Sequence, residues 1–168
     1  MQGQPPRVVQ FKLDNRQSDQ VQILRIMEHI TAQYAQEPLV REFTVSLLRG
    51  LPNNDLVGQT RRLIQFVRDK VTYVRDPDGA EYIVSPTRLL QGFIDFGYMA
   101  GDCDDHVVLL NTMLLSIGIP ARPVGVKFGG ADDFNHVISS ISLKNETVLV
   151  DPCAKGSNKP TYFQTLYA

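Results

Sequence analysis

Gly101-Asp102-Cys103-Asp104-Asp105-His106 sets a thiol among carboxyls and an imidazole, and runs directly into the apolar Val107-Val108-Leu109-Leu110. Such a stretch can support nucleophilic attack by the thiol, ligation of a metal, or pairing with the second cysteine, Cys153. A thiol attacks as thiolate. A helix N-terminus favours that form, because its unpaired N–H groups and macrodipole attract negative charge. Asp102 suits the cap position, which puts Cys103 in the first helical turn. Asp104 and Asp105 oppose a further negative charge so close by, so Cys103 needs a cationic partner.

Two histidines offer themselves. His106 lies three residues on and shares a helix face with Cys103. It has no orienting partner outside its own helix. His136 opens a β-prone run well downstream. If residues 136–143 and 147–150 pair through a turn at Lys144-Asn145-Glu146, His136 and Asp151 reach the same end of the hairpin. Asp151 can then orient the imidazole. The preferred set is therefore Cys103 as nucleophile, His136 as base and Asp151 as orienter. The plainer alternative makes Cys103 a small buried hydrophobe. A metal site would draw on Cys103, Asp104, Asp105, His106 and Cys153, but structural zinc takes paired nitrogen and sulfur ligands, and two such pairs are lacking. A Cys103–Cys153 disulfide would block the nucleophile. No cofactor or metal is expected.

The elements that must position these residues can be read from periodicity. Apolar residues at helical spacing predict a helix from Ser18 or Asp19 to Ala35. A second runs from Pro38 to Leu48, and a third follows the turn and cap at Pro52-Asn53-Asn54-Asp55. On that third helix Arg61, Arg62, Arg68 and Lys70 read as a solvated face. Val71-Thr72-Tyr73-Val74 and Glu81-Tyr82-Ile83-Val84 are extended, separated by a turn at 75–79. Ser85-Pro86 caps a brief helix through Leu90, and 91–100 reads as an irregular connection. The Cys103 helix runs to Ile117, so apolar that protein must nearly surround it, and Gly118-Ile119-Pro120 stops it. Strands follow at 122–128, 136–143 and 147–150, with a loop at 129–133 between the first two. A weak edge strand is expected over 8–13, and an irregular tail beyond 153 with Tyr162, Phe163 and Tyr167 packed back. Helices first and strands last give the α+β class.

The 168 residues suit one domain with a real core: an N-terminal helical extension over 1–50, a core over 54–153 and a tail over 154–168. Hydrophobic residues make up 43%, charged residues 21%, and the net charge is -1. This is an ordinary globular composition. No basic block argues for nucleic-acid binding, and no apolar run is long enough to span a membrane. No secretory signal is seen, two cysteines are too few for a disulfide scaffold, and cytoplasm is the default location.

The Gly101-Asp102-Cys103-Asp104-Asp105 run, its apolar helix and Gly118-Ile119-Pro120-Ala121-Arg122 resemble the core of the transglutaminase-like superfamily. Phe134-Asn135-His136-Val137 and Val148-Leu149-Val150-Asp151-Pro152 are similar to that family's histidine and aspartate strands. Val71-Thr72-Tyr73 and Ser85-Pro86-Thr87-Arg88-Leu89-Leu90 look like its microbial and tailed-phage branch. The resemblance implies a papain-like α+β fold, with the nucleophile helix packed on an antiparallel sheet. It implies that Cys103, His136 and Asp151 form a triad attacking a carboxamide or peptide carbonyl through a thioester. The oxyanion donors it implies are the Cys103 N–H and one upstream side chain: Gln91, Tyr98 or Tyr73. Val137-Ile138 follow the histidine, where the family commonly has a bulky aromatic. The animal enzymes' calcium requirement is not carried over. The expected activity is hydrolytic, on a protein or peptide substrate. The alternatives are glutamine transamidation and a catalytically silent assembly module, with virion proteins as partners if the chain is phage-encoded.

Overall fold

The computed structural model describes residue 13 and residues 19–77, 81–127, 134–144 and 146–153. The expected strand over 8–13, but for its last residue, lies outside them, as do the loop at 129–133 and the aromatic tail. In chain order the elements are α1 (Asp19–Tyr34), α2 (Pro38–Leu47), α3 (Leu56–Lys70), β1 (Val71–Tyr73), α4 (Pro86–Phe96), β2 (Met99–Gly101), α5 (Cys103–Ser116), β3 (Ala121–Val126), β4 (His136–Leu143) and β5 (Glu146–Val150).

The apolar α5 is the axis of the molecule. Helices α1 to α4 pack around it, and β3 and β4 lie against its remaining side. Leu109, Leu110, Met113 and Leu114 have no exposed surface, and Asn111 and Thr112 on the same helix are also fully buried. Burying a side chain of this size contributes roughly 1.5–3 kcal/mol, so the helix carrying Cys103 is held by its whole length. Its C-terminal carbonyls need partners, and Arg41 on α2 supplies one, donating from Nη1 to the Ser116 carbonyl at 2.7 Å. Phe43, Phe66 and Phe93 tie α2, α3 and α4 together, with ring centroids 5.4–5.9 Å apart.

The main sheet is antiparallel with order β3-β4-β5. Val126 pairs with His136 at one end of β4, and Leu143 with Glu146 at the other. Lys144 turns the hairpin at φ 48. The expected pairing of the last two strands is therefore present.

Two expectations change, and a third segment finds its partner outside the sheets. Helix α4 runs on to Phe96, past the expected stop near Leu90. Gly92 sits inside it as a spacer, because a Cβ there would come within 3.1 Å of the Tyr98 carbonyl. Gly97, at φ 70, is the true cap. What reads as an irregular connection also contains β2, which pairs in parallel with β1 from Val71↔Met99 to Tyr73↔Gly101. This pair is only three residues long, too short for periodicity to register. Residues 81–84 form no strand. The Val84 N–H donates instead to Asp105 Oδ1 at 2.7 Å.

Candidate active site

Strand β2 delivers the chain to α5 through Gly101 and Asp102. Asp102 is the N-cap: its Oδ1 accepts from the Asp104 N–H at 3.2 Å. Asp105 reaches back, its Oδ2 accepting from the Asp102 N–H at 3.2 Å. With its other oxygen on Val84, Asp105 stitches together three segments, and a Cβ at Gly101 would collide with its side chain. These reciprocal bonds satisfy N–H groups that a helix start leaves unpaired. They also fix Cys103 as the first residue of α5, packed beside Val107, Val108 and Val137.

His136 and Asp151 come together as the hairpin predicts. The His136 Nε2 lies 3.0 Å from Asp151 Oδ2. Asp151 is held at two further points. Its Oδ1 accepts from the Cys153 N–H at 2.8 Å. Its carbonyl accepts from Arg68 Nε at 3.2 Å and Nη2 at 2.8 Å. Burial pulls the Asp151 carboxyl upward, but the bonds from His136 and Cys153, with the Arg68 charge, outweigh it and leave it below the usual carboxylate range. Asp151 is therefore an ionised acceptor fixed against His136. The backbone N–H of Val137, the residue after His136, points at the Cys103 sulfur. The thiol thus lies beside the start of β4.

Around Cys103 the helix N-terminus does not prevail. Burial, then the charges of Asp102 and Asp104, push the thiol up to about 12, against the Val137 N–H. The carboxylate oxygens of Asp102, Asp104 and Asp105 lie within 4.8 Å of one another, all buried. Neither oxygen of Asp104 has a hydrogen-bond partner among the described residues, and burial beside Asp102, Asp105 and Glu81 raises its pKa. Burial also brings Asp105 up to about 7.

His106 is buried inside the same cap. Its Nδ1 lies 2.6 Å from the Asp102 carbonyl, and its ring stands 6.0 Å from that of Tyr73. Burial lowers its pKa, so a neutral His106 braces the helix start against β1. Of the three upstream side chains, Gln91 donates to Asp95 at 2.8 Å on an exposed face of α4. Tyr98 and Tyr73 are both exposed. Tyr73 differs in its neighbours: partial burial, then the charges of Cys103, Asp102 and Cys153, raise its pKa. Its hydroxyl thus lies within electrostatic reach of both sulfurs and stays protonated. Cys103 and Cys153 are unbridged thiols, so the disulfide alternative does not hold in this structure.

The Arg68 contact escaped the sequence reading, and Cys153, weighed there as a metal ligand or disulfide partner alongside Cys103, stands beside other residues. Arg68, taken as part of a solvated face, anchors Asp151 across 83 positions of chain. Cys153 places its sulfur within 4.8 Å of ligand atoms of both His136 and Asp151. Spacing along the sequence carries neither the Arg68 contact nor that of Cys153 with His136.

The arrangement matches known proteins in fold. A crystal structure of a candidate protease from Parabacteroides distasonis superposes with a TM-score of 0.59 at 14% identity, covering 76% of this chain and 25% of that one. One of a candidate cysteine protease from Cytophaga hutchinsonii gives 0.55 at 14% identity, covering 81% of this chain and 45% of that one. The chain thus spans less than half the length of either. No curated protein matches it significantly. The family model of the transglutaminase-like superfamily matches residues 42–152, taking in Cys103, His136 and Asp151. By that match over well more than half its length, the chain belongs to the transglutaminase-like superfamily.

Proposed function

We propose that the protein is a cysteine-dependent acyl-transfer hydrolase acting on a carboxamide or peptide bond. The observation that carries the reading is the 3.0 Å His136–Asp151 pair at the start of β4, beside Cys103 at the start of α5. With Nε2–H donated to ionised Asp151, the lone pair of His136 lies on Nδ1, the tautomer a base toward Cys103 needs. Because the thiol is held up to about 12, His136 takes its proton as the sulfur attacks, instead of resting in a preformed ion pair.

The step then balances simply. Sγ bonds to the carbonyl carbon, and the carbonyl π electrons move onto oxygen. The oxyanion is received by the Cys103 N–H, which a helix start leaves free to donate, and by the Tyr73 hydroxyl. Such donors typically supply about 3–4 kcal/mol each. As the tetrahedral species collapses, the imidazolium returns its proton to the leaving nitrogen, leaving a thioester. Water, deprotonated by His136, then releases the acid and the free thiol.

An amine can replace water in the last step, which makes transamidation the second reading. Offering a glutamine-containing protein together with a labelled primary amine separates the two. Hydrolysis predicts bond cleavage or ammonia release without label incorporation, abolished in Cys103→Ala. Label incorporation would replace hydrolysis by transamidation, and a product unaffected by Cys103→Ala would remove both.

A further inference from the structure

Cys153 has no part in acyl transfer, yet it stands against two residues that do. A ring nitrogen of His136, a carboxylate oxygen of Asp151 and the Cys153 sulfur all lie within 4.8 Å of one another, and all three residues are half-buried. Imidazole nitrogen, carboxylate oxygen and thiolate are the donors that zinc takes, at about 2.0–2.3 Å. Tetrahedral bonds of that length hold donor atoms roughly 3.3–3.8 Å apart, so a modest contraction of the side chains closes the set. Part of that contraction is already made: His136 and Asp151 are 3.0 Å apart, and Asp151 is fixed by the Cys153 N–H and by Arg68.

We propose that His136, Asp151 and Cys153 form a zinc site, with water in the fourth position, and that zinc there switches the active site off. Binding exchanges the Cys153 thiol proton for the metal and releases it to solvent, while the nitrogen and oxygen donate lone pairs. The consequence for His136 is the same at either nitrogen. Zinc on Nε2 forces the ring proton to Nδ1, which can then no longer accept a proton from Cys103. Zinc on Nδ1 takes that lone pair directly. Binding itself stands apart from the acyl-transfer reading, and only the switching rests on it.

The full chain, stripped with a chelator and titrated with zinc chloride in a calorimeter, tests the site without turnover. We expect one zinc per chain. Affinity should persist in Cys103→Ala and fall by about tenfold or more in Cys153→Ser, since even indirect ligand supports cost that much. Cobalt in place of zinc should give a thiolate-to-metal charge-transfer band that Cys153→Ser loses. No binding by the wild-type chain, or equal affinity in a Cys153→Ser chain that melts normally, overturns the site. Should that variant fail to fold, peptide mapping of the wild type decides: zinc should slow iodoacetamide labelling of Cys153, and unchanged labelling overturns the site. If zinc protects Cys153 while Cys103 is alkylated at an unchanged rate, the switching is overturned and the site stands.

Discussion

At Cys103 two local influences compete, and burial with carboxyl charge prevails over the helix N-terminus. The dominant neighbour charges are those of Asp102 and Asp104. Asp102 cannot be spared as the cap, but Asp104 makes no hydrogen bond among the described residues. Its folded-state pKa is raised above the ordinary value of about 3.9. The folded chain therefore binds more protons than the unfolded chain, and this group's contribution to stability falls as pH rises past that value. Asp104→Asn removes the titration. Melts at pH 4 and pH 8 should show little gain at the first and a gain of about 1–3 kcal/mol at the second. Asp104, raised to about 11, is already uncharged at neutral pH, so Cys103 alkylation there should change little in Asp104→Asn. Arg68 acts at the same scale. Arg68→Ala frees the Asp151 carbonyl and should cost roughly 1–3 kcal/mol by urea unfolding, with slower Cys103 alkylation. Lysine should not restore the two-point contact, because it lacks the guanidinium fork. The placing of Cys103 at a helix start and of His136 beside Asp151 was legible because a capped apolar helix and a hairpin are local patterns. The Arg68 contact was not, because it is set by how α3 and the end of β5 meet in space, and Cys153, weighed only with Cys103 and its neighbours, was not placed beside His136.

Among the elements, the β2–α5 junction does most to fix Cys103. Gly101 lies under the Asp105 side chain, and that side chain in turn holds Asp102 and Val84. Gly101→Ala must displace Asp105, so both bonds loosen. Thermal melts should show a loss of about 1–3 kcal/mol, and amide exchange at Val84 should accelerate. The sequence marked this junction correctly as a cap. It obscured what precedes it: Gly92 and Gly97 look alike, yet one is a spacer inside α4 and the other its left-handed cap. The approach of the Tyr98 carbonyl to Gly92 and the left-handed backbone of Gly97 distinguish them. Strands β1 and β2 pair in parallel over three residues, and their register depends on where α3 and α4 end, which periodicity does not encode.

For the molecule as a whole, a helix buried along its length presents its N-terminus to the start of β4, the central strand of an antiparallel sheet. The α+β class was readable from element order, since apolar period and turn residues mark both halves clearly. Truncating the axis should be costly everywhere. Leu110→Ala empties a fully buried position and should lose about 2–5 kcal/mol by chemical unfolding. The loss should appear as one cooperative transition, because every helix from α1 to α4 packs on α5.

The central claim is that α5 and the β4–β5 hairpin bring Cys103 under the control of His136. The rate of iodoacetamide labelling at Cys103, read by peptide mass mapping against an added free thiol in wild type and His136→Ala, tests this directly. His136→Ala should slow Cys103 labelling by about tenfold or more at neutral pH. Wild-type labelling should keep rising into the alkaline range, as a thiol held up to about 12 requires. A Cys103 rate unchanged by His136→Ala would contradict the claim.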